Sequence, residues 1–524
     1  MKKQACWAVA ALALAACSSD DSSNPGSGGG AGADGGAGTG GMAGTSGSGG
    51  SAGTGGSAGT GGAAGTGGSA GAATGHIRID PAYPHSFVYD GGARYFPMGD
   101  TAYELLGESD AAIHQFLDSR AAHSFNLVRI GAIAPGFWPF GGTPASPDFG
   151  TVDEAKMQKL DATFDYAKSV GVNIELIVWL YDAEGGNGMW GNTAQENQWV
   201  DTLVGRYKDR TNLFMWTVTN EFERYPTAAY SYEESDVDWA KSVAARIHGI
   251  DPIHAIGAHP SVWISEFPPH GSFHSYKGTA QHLPQVVWPL WEQSAISVLN
   301  VQNNQGVQPG YWNNGVTYES TDWQGSTYPV TWTSEGWDME GPGMEDSVAE
   351  DWSHGKPVIN TEFGYQFEAG ASGFGVTTKQ LHSPASVRRK AWKITTAGGY
   401  FCMGFAHTAV QFDATNIETW RPAQLETLYD FFTQNTQYWK MAPHLELVDD
   451  ESALLALPGE EYVAYFPRGG TRDVTLEAGS YTAAWLNPAT GDLLAADMVT
   501  STGGKASFAC PASGDWVLHL KKTP

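Results

Sequence analysis

Residues 214–221 read Phe-Met-Trp-Thr-Val-Thr-Asn-Glu, and residues 357–364 read Pro-Val-Ile-Asn-Thr-Glu-Phe-Gly. Each stretch predicts a buried strand that ends in a glutamate, Glu221 in the first and Glu362 in the second. Because side chains alternate along a strand, Thr219 and Glu221 share one face. Polar groups on one face and apolar groups on the other are typical of a parallel barrel, whose strands pack on helices outside and carry chemistry at their carboxyl ends.

The residues around these two stretches alternate strand and helix patterns from 76 to 443. The eight strands are predicted at 95–101, 125–131, 172–181, 213–220, 254–259, 296–302, 357–362 and 400–406. The helices are predicted at 110–122, 152–169, 194–209, 233–249, near 345–352, 384–397 and 422–439, with a Trp-rich segment at 283–293. Eight strands alternating with helices predict an α/β fold, a (β/α)8 TIM barrel. Short alternating strands with Gly and Pro turns predict a small C-terminal all-β sandwich at 444–524.

The first 75 residues predict a leader and a tether. Residues 1–17 have a basic start and a short apolar run, as in a secretory signal peptide. Residues 14–17, Leu-Ala-Ala-Cys, resemble a bacterial lipobox, which implies cleavage before Cys17 and lipid attachment to it. The alternative is an ordinary signal peptide with an incidental cysteine. Residues 18–75 are rich in Gly, Ser, Ala and Thr, which predicts a disordered tether with a reach of about 40 Å.

This leader predicts a lipid-anchored, extracytoplasmic protein at a bacterial cell surface or outer membrane, joined to the membrane by its anchor only. The net charge of -27 would repel nucleic acid. Zinc is disfavoured because no His-Glu-x-x-His or comparable spacing occurs, and the Gly-rich tract is not a phosphate loop, so no metal or cofactor is predicted. Cys402 and Cys510 are expected to be buried thiols.

Two carboxylates raised on two barrel strands are what retaining glycoside hydrolysis needs. One must be held protonated to donate to the leaving oxygen, and the other ionised to attack the anomeric carbon. Their carboxyl groups would lie roughly 5 Å apart.

Three further stretches carry a resemblance to a known family. Residues 96–104 (Phe-Pro-Met-Gly-Asp-Thr-Ala-Tyr-Glu), 125–129 (Phe-Asn-Leu-Val-Arg) and 388–392 (Arg-Arg-Lys-Ala-Trp) resemble the apiosidase-like catalytic domain, glycoside hydrolase family 140 and relatives, within clan A. The segment around Trp485 and 487–491 is similar to the small β-domain often appended there, which is labelled collagen-binding. The resemblance covers roughly 85–524.

The resemblance implies roles for individual residues. Glu221 would be the acid/base, Glu362 the nucleophile, and Asn220 would hold the sugar hydroxyl next to the anomeric centre. Asp100 and Arg129, at the ends of the first two strands, would hold hydroxyls and orient the carboxylates.

One position departs from the clan pattern. Many clan A enzymes place a Tyr after strand six that bonds the nucleophile, whereas this chain has Gln302 there as a substitute. His259 and His407, at strands five and eight, are candidates for substrate binding, although lone histidines are more often structural. Trp179 is a further candidate, because sugars stack on aromatic rings.

The loop 303–344 contains Trp312, Trp323, Trp332 and Trp337 without helical or strand periodicity. It is expected to fold over the carboxyl-terminal rim and wall a sugar cleft, or else to pack on the side of the barrel. The expected function is hydrolysis of a polysaccharide or oligosaccharide. Two alternatives remain open: an endo-β-glucanase or mannanase, and a surface lipoprotein that binds carbohydrate without cleaving it.

Overall fold

The computed structural model describes most of the predicted barrel and C-terminal domain. The described residues are 71–180, 189, 192–222, 234–260, 292–302, 317–321, 327–331, 344–363, 365–366, 384–405, 408, 412–418, 422–449, 452–495 and 497–523. Cys17 and the rest of the leader, the tether up to residue 70, His407 and the four tryptophans of the 303–344 loop lie outside them.

Eight parallel strands form one sheet that nearly closes into a barrel. They are β1 (Met98–Thr101), β2 (Leu127–Gly131), β3 (Asn173–Leu180), β4 (Leu213–Asn220), β5 (Ala255–Gly257), β6 (Leu299–Val301), β7 (Val358–Asn360) and β8 (Tyr400–Phe405). They pair in the order β5-β4-β3-β2-β1-β8-β7-β6. At the remaining seam the amides of Ser297 and Val298 donate to the carbonyl of Ile256 in β5, at 2.8 and 3.1 Å. The predicted (β/α)8 barrel is therefore confirmed.

Seven helices among the described residues accompany these strands. They are α1 (Asp110–Ala122), α2 (Glu154–Ser169), α3 (Thr193–Tyr207), α4 (Glu234–Ile250), α5 (Met344–Trp352), α6 (Pro384–Thr396) and α7 (Ala423–Asn435). The first three begin where the sequence places a capping side chain, because Ser109, Asp153 and Asn192 each accept a hydrogen bond from the first turn. The predicted bounds of α1 agree with the structure.

The barrel interior contains polar side chains, and glycine makes room for them. A Cβ atom on Gly257 of β5 would lie 1.9 Å from Oδ1 of Asn300 in β6, and one on Gly99 of β1 would lie 2.6 Å from Sγ of Cys402 in β8. Both contacts are too short for any side chain larger than hydrogen. Gly257 therefore allows an amide to occupy the middle of the barrel.

Three segments differ from the predicted pattern. The tether was expected to continue to residue 75. Instead, Ala72 forms backbone hydrogen bonds with Gly91 and Ala93, in the turn of a hairpin that pairs Tyr83–Tyr89 with Arg94–Tyr95. A hairpin of Phe140–Thr143 and Ser146–Val152 lies between β2 and α2. Thr317–Thr321 pairs with Thr327–Thr331 in the loop that was expected to lack strands.

The C-terminal residues form two antiparallel sheets, which confirms the predicted sandwich. The larger sheet begins at Ala442–Pro443, just before the expected boundary at 444, and the smaller one pairs Thr471–Leu476 with Gly504–Ala509. Buried side chains from both sheets make one core, including Leu454, Val474, Phe508 and Leu518.

The sandwich packs directly on the barrel helices. Tyr465 stacks on Trp392 of α6 with ring centroids 6.0 Å apart. Nη2 of Arg388, also in α6, donates to Oδ1 of Asp515 in the sandwich at 2.8 Å, and both side chains are buried. The two domains therefore share an apolar contact that contains a buried ion pair.

Cys402 is a buried free thiol, as expected, and Cys510 is a free thiol that is only half-buried. In the part of the chain that the structure describes, the helices are too short or too polar to cross a bilayer.

Candidate active site

Two buried glutamates lie at the carboxyl ends of two different barrel strands. Glu221 directly follows β4 and is 8% exposed, and Glu362 follows β7 by two residues and is 3% exposed. Glu221 has a φ of +54°, in the left-handed region that residues other than Gly rarely adopt. The regular strand geometry therefore ends at this residue, and so does the strict alternation of faces on which the sequence-based prediction relied.

Arg129 in β2 joins the ends of these two strands. Its Nη2 donates to Oδ1 of Asn220 at 2.7 Å, and its Nη1 donates to Oε1 of Glu362 at 3.4 Å. The side chain is fully buried, so its charge is poorly screened by water. The guanidinium therefore couples the position of Asn220 to that of the carboxylate on the far strand.

Glu175 in β3 supports Arg129 from below, and sequence reasoning missed it. Its Oε1 accepts from Nε of Arg129 at 3.0 Å, from Oγ1 of Thr217 at 2.6 Å and from Nδ2 of Asn300 at 3.1 Å. A charged residue in the middle of an otherwise apolar strand was the available signal. Three donors on one oxygen hold this carboxylate, and with it Arg129, in a single geometry.

Tyr103 is the second residue that sequence reasoning missed, although it lies in the 96–104 motif. Its hydroxyl accepts from Nη1 of Arg129 at 2.6 Å and donates to Oδ1 of Asn220 at 3.2 Å. The Arg129 guanidinium also lies 5.1 Å from the centre of the Tyr103 ring. Oδ1 of Asn220 thus receives two hydrogen bonds, which fix the orientation of its amide.

Gln302, just after β6, contacts the carboxylate of Glu362. Its Nε2 donates a short hydrogen bond to Oε2 of Glu362. Gln302 thus lies beside Glu362, and its role as a substitute for the clan tyrosine stays a prediction. Among the described residues, Arg129 donates to Oε1 of Glu362 and Gln302 donates to Oε2.

His259, two residues beyond β5, lies beside Glu221. Its Nδ1 accepts from the backbone N–H of Glu221 at 3.3 Å, and the side chain is fully buried. Burial, with a smaller contribution from Arg129, holds the pKa of His259 well below its usual range. The imidazole is therefore neutral at physiological pH.

Asp100 lies in β1, but its carboxylate is directed at protein partners. Oδ2 accepts from Nε of Arg120 at 2.7 Å, and Oδ1 accepts from Oγ1 of Thr408 at 3.3 Å. The side chain is fully buried, and burial raises its pKa in spite of the arginine. Asp100 thus connects β1 to α1, while the expected substrate contact stays a prediction.

Trp179 is buried at the end of β3, and its ring packs against another tryptophan. The side chain is 1% exposed, and its ring lies 5.5 Å from that of Trp239 in α4. In this packing it has no open face for a sugar. Within the described ranges, His, Cys, Asp and Glu side chains form no group of three or more that is suited to a metal ion.

Two carboxyl groups at the carboxyl ends of barrel strands are what glycoside hydrolysis needs. With the family match that follows, they make the protein a glycoside hydrolase in class. The family profile described as "Apiosidase-like, catalytic domain" matches residues 84–446, which is more than half of the chain. The chain belongs to this apiosidase-like family.

Solved structures of glycoside hydrolases share the fold. One such protein is 14% identical, with a TM-score of 0.65 over 86% of this chain and 97% of that chain. A family 5 glycoside hydrolase from Bacteroides vulgatus is 14% identical, with a TM-score of 0.63 over 86% of this chain and 93% of its own. A further glycoside hydrolase structure from the same organism is 16% identical, with a TM-score of 0.58 over 86% of this chain and 82% of its own. Comparison with curated proteins gives no match.

Proposed function

We propose that the protein is a retaining glycosidase in which Glu362 is the nucleophile and Glu221 the acid/base. The observation that supports this assignment is the pair of donors on Glu362, one of them the buried cation of Arg129. A cation and an amide that donate to a carboxylate favour its ionised form. The ionised carboxylate is the one that attacks the anomeric carbon.

The reaction proceeds in two displacements. An oxygen of Glu362 forms a bond to the anomeric carbon while the bond to the leaving oxygen breaks, and Glu221 gives that oxygen its proton. Glu221, now ionised, then takes a proton from water as the water oxygen attacks the same carbon and releases Glu362. The sugar leaves with its original configuration, and both carboxyl groups regain their starting protonation states.

Asn220 is suited to bind the hydroxyl next to the anomeric carbon. Its Oδ1 is occupied by Arg129 and Tyr103, so the amide is turned with Nδ2 on the opposite side, where it donates to the sugar. A hydrogen bond at this hydroxyl strengthens as positive charge develops in the transition state.

The family supports an apiose-containing polysaccharide as substrate, in preference to a β-glucan or mannan. The carbohydrate-binding alternative would use exposed aromatic rings. Among the described residues the exposed large apolar side chains are Leu493, Leu494 and Met498, and none is aromatic. We therefore assign the described part of the sandwich a structural role.

Hydrolysis of aryl glycosides and of apiose-bearing pectin by the 71–524 fragment tests this function, with the product anomer followed by proton NMR. We expect release of a sugar with retained configuration, and loss of that release in Glu362→Gly. Release with inverted configuration would contradict the two-step mechanism. Binding without release across the panel would favour the non-catalytic alternative.

We further propose that lipid attached to Cys17 holds the enzyme at the outside of a bacterial membrane. The support is the Leu-Ala-Ala-Cys motif followed at once by the Gly-rich tether. Cys17→Ala should move the full-length protein from the membrane to the soluble fraction and prevent its labelling with palmitate. Membrane association that survives this substitution would exclude the anchor.

A further inference from the structure

The backbone at Glu221 is held in a conformation that strand geometry does not supply. A strand places Asn220 and Glu221 on opposite faces. Asn220 contacts Arg129 inside the barrel, and the left-handed φ of +54° at Glu221 redirects the next side chain. A non-glycine residue keeps such a conformation only when its surroundings enforce it.

His259 is positioned to enforce it through two hydrogen bonds. Its Nδ1 accepts from the N–H of Glu221 at 3.3 Å, and its backbone carbonyl accepts from the N–H of Phe222 at 3.0 Å. One residue at the end of β5 therefore holds both amides that follow β4. The two strands are parallel neighbours, so the contact is part of the barrel framework.

The hydrogen bond to Glu221 also fixes the tautomer of the imidazole. Because Nδ1 accepts, the proton of the neutral ring is on Nε2. Nε2 is buried and has no hydrogen-bond partner among the described residues. The Nδ1 contact, and not Nε2, is thus the side-chain function that the structure shows.

We propose that His259 is a positioning residue that aims the carboxyl group of Glu221 by holding its backbone through Nδ1. This inference rests on the proposed function, in which Glu221 is the acid/base. It predicts that loss of the Nδ1 acceptor damages protonation of the leaving group more than it damages attack by Glu362.

Two substitutions of similar size separate the two ring nitrogens. In His259→Asn the side-chain oxygen can occupy the place of Nδ1 and accept from Glu221. In His259→Gln the longer side chain reaches toward the place of Nε2 and leaves that amide without its acceptor. His254→Ala is the matched control, because His254 is also buried, lies at the opposite end of β5 and bonds Asp251.

The readout is the dependence of kcat/KM on the leaving group. A 2,4-dinitrophenyl group leaves without protonation, whereas a phenyl group needs the acid. The glycosides of β-apiose, β-mannose and β-glucose serve as the panel, with Glu221→Gln as the reference for loss of the acid. Acid catalysis contributes on the order of 10²–10⁴ to the rate.

We expect His259→Gln to lose about 100-fold on phenyl glycosides and less than about 5-fold on dinitrophenyl glycosides, following Glu221→Gln. His259→Asn should stay within about 5-fold of the wild type on both, and His254→Ala should lower the melting temperature without changing the ratio. The positioning role is wrong if His259→Gln lowers kcat/KM equally for phenyl and dinitrophenyl glycosides, or if it behaves as His254→Ala does. The glycosidase assignment stands in either case. A Glu221→Gln variant without leaving-group dependence, or a wild type inert on the panel, overturns both.

Discussion

Two buried arginines hold the molecule together in different ways. Arg129 lies inside the barrel, where its guanidinium donates to Glu175, Tyr103, Asn220 and Glu362. Arg388 lies where the barrel meets the sandwich, and it donates to Asp515 through Nε and Nη2 and to Gln424 through Nη1. The first arginine divides its donors among a buried carboxylate, a tyrosine hydroxyl and two residues at strand ends. The hydrogen bonds of the second all join parts of the framework.

The difference shows what allows a buried arginine to contribute to the active site as well as to the fold. Both arginines are paired with a carboxylate, which offsets the cost of burial. The donors of Arg129 that are not paired with Glu175 reach the carboxyl ends of β4 and β7. The corresponding donor of Arg388, Nη1, bonds Gln424 in α7 instead. We therefore expect similar substitutions at the two arginines to affect different properties.

The largest difference should appear when each arginine is replaced by lysine. A lysine cannot reproduce the planar fork of the guanidinium, so Arg129→Lys should lose its contacts with Asn220 and Glu362. We expect kcat/KM to fall about 10³-fold in Arg129→Lys, equivalent to about 4 kcal/mol. Arg388→Lys should keep kcat/KM within about 3-fold and lose stability instead. Steady-state kinetics with matched melting curves measures both, and equal activity losses would remove the distinction.

A smaller effect, on stability alone, is expected at the domain contact. Asp515→Asn leaves the charge of Arg388 buried without its carboxylate, which should cost about 3 kcal/mol of unfolding free energy. Calorimetry of the 71–524 fragment measures the loss. The double variant Arg388→Met with Asp515→Leu should recover most of it, because the uncompensated charge is removed. Failure of the double variant to recover would mean that packing, and not charge, dominates this contact.

The smallest effect is expected at a buried acid that has no partner. Both carboxyl oxygens of Asp351 in α5 are buried without a hydrogen-bond partner among the described residues, and burial, then Glu350, raises its pKa well above the usual range. Since the folded state favours the protonated form, the contribution of Asp351 to stability is full below about pH 4 and is lost as pH rises through the folded pKa.

Asp351→Asn removes this ionisation. We expect the unfolding free energy of the variant to exceed that of the wild type by about 1–2 kcal/mol at pH 8 and by almost nothing at pH 4. Denaturant unfolding at each pH measures the difference. Glu345→Gln is the contrasting control, because Glu345 is also buried in α5 but is paired with Lys393 at 3.0 Å, and its variant should lose stability at neutral pH. A pH-independent difference for Asp351→Asn would exclude a protonated carboxyl at this position.

The barrel could be predicted because its signals are local. Strand β4 and helix α1 have the predicted bounds. The signals of a buried strand and of a capped helix each lie within a short run of consecutive residues. The hairpin at 140–152 was missed because its first strand contains two glycines, which weaken a strand pattern. The short pairing at 317–331 was missed for want of a clear alternation.

The sequence by itself determined that two glutamates follow two buried strands, because burial and strand spacing depend on neighbouring residues. Only the tertiary structure decided how they are held. Arg129 meets Glu175 across 46 residues of chain and Glu362 across 233, contacts that exist once the barrel closes. The hold of His259 on the backbone of Glu221 has the same origin, since two strands must become parallel neighbours before one can fix the end of the other.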